Sequence, residues 1–188
     1  QSFGLSPAAT DRMRPWFAAI TLSSLALIKQ TTKPRKPSDP TGSLNDIAGV
    51  DSQLWAWARG AGKQRGTLES AEDQIRVFAD LPRDQEIELL IVSLDEVTQP
   101  PDTVDTMIGA WAVGDTAKLD EAFNADMNNF PALRDAVLHN RHKKWLPQIE
   151  RMLSDGRTRV IVVGTAHLVG KDSIIAMLRA RGVRVEGP

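Results

Sequence analysis

The chain has 188 residues, no cysteine and a formal net charge of −1. That length suits one domain with a real core. The near-neutral charge argues against a nucleic-acid partner, and the missing cysteines exclude disulfides, thiolate metal sites and a cysteine nucleophile.

The opening residues, QSFGLSPAATDRMRP, lack the basic start and apolar core of a signal peptide. They also lack an initial methionine, which fits a processed or truncated form. Residues 11 to 29 read as a helix that Asp11 caps and Pro15 enters in the first turn. Its apolar stretch, WFAAITLSSLALI at residues 16 to 28, is too short to span a bilayer and reads as a buried helix, with a membrane or partner contact surface as the alternative. The Pro-rich, polar segment at residues 31 to 43 is expected to be a loop within one domain covering 1–188.

Asp51 starts a helix that Gly62 ends. Residues 64 to 68 form a strand candidate leading to Glu69. Ser70 and Asp73 have the spacing of a capping box, which predicts a helix to about Ala79. The apolar set Ile87, Leu90, Ile91 and Leu94 predicts a helix over 84–97. Another helix follows, closed by Gly114, and then a short one carrying Leu119, Ala122 and Phe123. Pro131 can open a long helix to about Leu153, with a stripe of Leu138, Arg141, Trp145, Ile149 and Met152. Arg141 on that stripe needs an anionic or carbonyl partner, unless it snorkels or forms a purely structural ion pair.

Near the end, RVIVV at residues 159 to 163 is β-branched and nearly continuous, as in a strand covered on both faces. DSIIAMLRAR reads as a helix stopped by Gly182, and VRVE at 183–186 as a second strand. Strand, helix and strand in so few residues predict a right-handed parallel βαβ unit.

The loop GTAHLVGKD after the first of these strands is not a phosphate loop. Gly164 and Gly170 enclose five residues rather than four, and Lys171 is followed by Asp172 rather than a hydroxyl residue. No dinucleotide fingerprint is present either. Sites in open α/β sheets gather beyond the carboxyl ends of strands. His167 and Glu69 would then emerge on one rim, where they could share a metal or act as an acid/base pair. The plainer alternative makes His167 a backbone-bonded loop cap and Glu69 a helix-start charge.

VIVVGTAHLVGKDSIIAMLRARGVRVE closely resembles the carboxyl-terminal signature of the TraB/PrgY/GumN family, which is related to the Tiki proteins. GVDSQLWAWARGAGKQRGTLESAEDQ, RHKKWLPQIERML and, more weakly, LSPAATDRMRPWFAAITLSSLAL extend the resemblance over most of the chain. It implies an α/β fold, with a parallel or mixed sheet, a large helical layer and a Tiki/ChaN/erythromycin-esterase-like core incomplete at its amino end. It also implies a metal-dependent hydrolase of a peptide or small-molecule substrate, since the Tiki branch consists of metalloproteases dependent on manganese or cobalt. Gly164 and His167 match the family's second G-x-x-H block, Glu69 its acidic position and Arg141 its basic position. The implied catalytic residues are thus Glu69, Arg141 and His167, with His167 and Glu69 as metal ligands.

Two departures stand out. His142 occupies a place where the family has Asn, and the family's earlier G-x-x-H block has no counterpart in this sequence. Loss of that block would leave a noncatalytic envelope or surface binding module as the alternative. The remaining expectations are a bacterial, periplasmic or secreted protein with no transmembrane helix, which associates with itself or with its own amino-terminal part.

Overall fold

A computed structural model describes residues 10–31, 49–98, 103–124 and 126–187. The expected Pro-rich loop lies almost wholly outside the described residues. The helices, in chain order, are α1 (Pro15–Thr31), α2 (Val50–Gly60), α3 (Ala71–Ala79), α4 (Arg83–Thr98), α5 (Thr103–Val113), α6 (Thr116–Asn124), α7 (Pro131–Arg134), α8 (Asn140–Ser154) and α9 (Ile174–Ala180). A π-helical turn, Asp135–His139, joins α7 to α8, and a 3₁₀ turn, Thr165–His167, precedes α9. No described helix is long and apolar enough to cross a membrane.

α1 and α4 pack against each other. The small residues Ala19 and Ala26 are buried on α1, and Val92 on α4. The segment expected as a buried helix is therefore a helix buried on one side, with Phe17, Leu27 and Ile28 about half exposed. The pair is also tied by charge. Glu86 on α4 is almost fully buried and accepts from Arg14 Nε at 3.1 Å, while the Arg14 Nη2 group closes on the same oxygen. The hydrogen bond from Arg14 holds the Glu86 carboxyl below its usual range despite its burial.

A second core joins α8 to α9. Trp145, Leu146 and Ile149 of α8 pack against Ile174 and Leu178 of α9. Leu68, Val163, Met177, Val183 and Val185 cover this cluster. A third group, Ala110, Leu119 and Val169 with Phe123 against it, fastens the loop before α9 to α5 and α6.

The sheet expected from the sequence does not form: the described residues are helical and contain no strand. Residues 64–68, 159–163 and 183–186 do not pair, so the parallel βαβ unit is absent around a crossover helix that does form, as α9. The reason is physical. β-branched composition favours an extended backbone, but a strand exists only when its N–H and C=O groups find a ladder partner. Here Val163, Val183 and Val185 rest on the α8–α9 core through their side chains, while Val160 stays 75% exposed. The α/β reading is thus corrected to a helical architecture.

Gly170 shows how tightly the loop before α9 is held. Its φ is +83°, and an added Cβ would lie 2.3 Å from Asp120 Oδ1 of α6. That carboxylate cannot yield freely, because Asn124 Nδ2 donates to the same oxygen at 2.6 Å. Gly170→Ala is expected to cost roughly 1–3 kcal/mol, readable as a lowered urea midpoint. By contrast, Gly164 has φ −58° and room for a Cβ, with His167 Cδ2 at an ordinary 3.7 Å, so Gly164→Ala should leave that midpoint nearly unchanged.

Candidate functional site

Three segments converge on one buried polar cluster. The first is the turn before α3. Ser70 Oγ accepts from the Asp73 backbone N–H at 3.0 Å, and the Asp73 carboxylate accepts from the Ser70 N–H at 2.9 Å. This is the capping box read from the sequence, and it fixes the backbone next to Glu69. Gln148 Nε2 of α8 donates to the Leu68 carbonyl at 2.9 Å and holds the same turn from the other side.

The second segment is α8. The π turn ahead of it carries one residue more than an α turn would, rotating the following helix by about 100° relative to a continuous one. Beyond that turn, His142, Trp145, Leu146 and Ile149 form the buried face, with Arg141 at its edge. The third segment is the 3₁₀ turn, closed by His167 N–H on the Gly164 carbonyl at 2.9 Å, which leaves His167 only 6% exposed.

Arg141 links the first segment to the third. Its Nη2 and Nε donate to the two oxygens of Glu69 at 2.5 and 3.2 Å, the two-pronged geometry that suits guanidinium and carboxylate. Its Nη1 lies 3.1 Å from His167 Nε2 and 3.3 Å from the Val137 carbonyl. Trp145 Nε1 donates to Glu69 Oε2 at 3.1 Å; the Trp145 ring lies beneath the guanidinium, whose Cζ is 4.8 Å from its centroid, and meets the His167 imidazole edge-on with centroids 4.7 Å apart. On its other side His167 Nδ1 is 2.8 Å from His142 Nε2. Arginine can only donate, so His167 Nε2 holds a lone pair and the ring is neutral, with its proton on Nδ1. Its electrostatics agree. Burial first, then the Arg141 guanidinium, lower the His167 pKa to about 4, and burial likewise lowers that of His142.

The structure therefore brings together all three residues singled out in the sequence. Two further members were not recognised there. His142 stood out only as a departure where the family has Asn, without the glycine that drew attention to His167, and Trp145 only as part of an apolar stripe. The available signal was spacing, since His142, Trp145 and Ile149 stand at i, i+3 and i+7 on one helix face.

A divalent ion shared by Glu69 and His167 does not fit this arrangement. Both carboxylate oxygens and both ring nitrogens already have partners, and the cation between them is Arg141 itself. No group of three metal-binding side chains is assembled among the described residues.

The family model described as "TraB/PrgY/gumN family" matches residues 1–187. The chain belongs to the TraB/PrgY/gumN family. Two proteins named YbaP, each described as uncharacterised, from Escherichia coli (strain K12) and Shigella flexneri, are similar to it at 27% identity over 179 residues. Those matches cover 95% of this chain and 61% of the relatives, so the chain spans less than two thirds of the curated proteins it resembles. No solved structure matches. Membership in the TraB/PrgY/gumN family agrees with the resemblance carried by the G-x-x-H loop and the Glu69 and Arg141 segments.

Proposed function

We propose that Glu69, Arg141 and His167 form a hydrolase site. The observation that carries this reading is the neutral, almost fully buried imidazole whose Nε2 lone pair faces an arginine already locked on a carboxylate. A chain seeking only stability gains little from such a network, because apolar side chains of similar volume serve as well or better. Perturbed, buried titratable groups gathered at one point are characteristic of sites of proton transfer.

The chemistry follows from the atoms. A substrate carbonyl oxygen that takes Arg141 Nη1 as its donor would free His167 Nε2. That nitrogen would then take a proton from water as the water oxygen attacks the carbonyl carbon. Arg141 would hold the resulting oxyanion, and His167 would return the proton to the leaving group as the tetrahedral adduct collapses. Glu69 keeps the guanidinium aimed. Esters and peptides are the substrate classes this sequence of steps accommodates, and no step needs a bound ion.

Turnover of p-nitrophenyl acetate and of fluorescein-labelled casein tests the reading. His167→Gln is expected to lower the rate by about 10²–10⁴-fold. The acid limb of the wild-type rate should fall near pH 4, where His167 takes up a proton, rather than near the ordinary imidazole value. Unchanged turnover in His167→Gln, or no wild-type turnover on either probe, would overturn the proposal.

A further inference from the structure

His142 is tied to the reactive imidazole more closely than any other side chain, and nothing in the proposed steps uses it. It is 1% exposed, and its Nε2 lies 2.8 Å from His167 Nδ1. Its own Nδ1 lies 3.1 Å from the backbone carbonyl of Asp172. Hydrogen-bond roles can be assigned along the whole chain from its two ends. Arg141 can only donate, which makes His167 Nε2 an acceptor and puts the His167 proton on Nδ1. The carbonyl of Asp172 can only accept, which puts the His142 proton on Nδ1 and leaves His142 Nε2 as a lone pair. The donor of one ring then meets the acceptor of the other at 2.8 Å. Both ends demand the same direction, so one assignment satisfies every atom, whereas the opposite one keeps only the ring-to-ring contact and breaks both end contacts.

We propose that His142 is the positioning residue of the site: by accepting from His167 Nδ1–H, it fixes the His167 tautomer and turns the Nε2 lone pair toward Arg141. This rests on the hydrolase reading for its consequence, though the tautomer itself does not. The supports of His142 suit the task. Asp172 directly precedes Ser173, whose hydroxyl caps α9 by accepting from the Ala176 N–H at 3.2 Å. Arg134 of α7 holds the Asp172 carboxylate at 2.9 Å, so the residue that supplies the accepting carbonyl is anchored to α7 as well as next to the α9 cap. Trp145 stands against both imidazoles, with centroids 6.1 Å from His142 and 4.7 Å from His167, and limits how far either ring can turn.

Substitutions separate this role from mere packing, because glutamine and asparagine imitate different ring nitrogens. The His142→Gln carbonyl reaches about as far from the backbone as imidazole Nε2 and can still accept from His167. The shorter His142→Asn side chain reaches about as far as Nδ1, so it can keep the Asp172 contact but not the His167 contact. Long-range ¹H–¹⁵N spectra of the imidazoles read the tautomer directly, and ester turnover reads its consequence. His142→Gln is expected to keep His167 as Nδ1–H and to keep most of the turnover. His142→Asn should let the Nε2–H form of His167 grow in and lose roughly tenfold or more in rate. Chemical shifts of α9 amides report whether each variant is folded. A His167 tautomer unchanged in His142→Asn would overturn the positioning role, whatever the turnover. A shifted tautomer with no wild-type turnover would instead leave the positioning role standing and remove the hydrolase reading.

Discussion

Arg141→Ala is expected to lower the unfolding free energy by about 3 kcal/mol, at the lower end of the range for breaking a buried pair. The size comes from what is left behind. The Glu69 side chain is only 11% exposed and would keep Trp145 Nε1 as its one remaining donor. The discount from a fully buried pair reflects the 20% exposure of Arg141. Arg141→Lys should recover little, because an ammonium group cannot reach both Glu69 oxygens and His167 at once. The double variant Glu69→Leu/Arg141→Met should regain much of the loss, since it removes both charges together. Urea midpoints measure all three, and an Arg141→Ala variant within about 0.5 kcal/mol of wild type would place the pair among ordinary surface contacts.

Acid should weaken the fold before most carboxylates are protonated. His167 has a folded pKa near 4, below its unfolded value of about 6.5. A depressed histidine pKa means that the unfolded chain binds the proton more readily. The contribution is therefore fully present above about pH 6.5 and is lost as pH falls toward about 4. A shift of this size corresponds to about 3 kcal/mol as an order of magnitude. His142, whose pKa is also lowered by burial, adds in the same direction. Thermal melts between pH 7 and pH 4.5 should show a falling Tm, and His167→Gln should flatten that dependence. An equally steep fall in the variant would assign the effect to other groups.

Much of the site was legible in the sequence because its parts are local. Ser70 and Asp73 announce a helix start by spacing alone, and that start fixes where Glu69 stands. Arg141 on an apolar stripe implied a buried partner, and a guanidinium bound to a carboxylate is the expected answer. The G-x-x-H loop marked His167. His142 escaped because its importance comes from a contact across 25 positions, His167 to His142, which no local pattern encodes. The π turn at Asp135–His139 compounded the difficulty, since a stripe counted through Leu138 assumes a continuous α-helix. The helices were legible for the same reason as the capping box: period, caps and the stops at Gly62, Gly114 and Gly182 lie within each segment.

The sheet was misread for the opposite reason. RVIVV has the composition of a buried strand, yet composition cannot supply the second backbone that a strand requires. Val160 and Val162 show the outcome, an apolar run at 75% and 42% exposure with only its end, Val163, on the core. Pairing is a long-range property, as the His142–His167 contact is.

One directed chain of hydrogen bonds, from Arg141 through His167 and His142 to the Asp172 carbonyl, organises the site. The ¹⁵N-detected imidazole spectrum of the wild-type protein at pH 7 tests it most directly. The expected result is two neutral histidines, His142 and His167, both carrying their proton on Nδ1, with Nε2 shifted as an unprotonated acceptor. Finding His167 protonated on Nε2, or charged at that pH, would contradict it, because Arg141 could not then donate to that nitrogen.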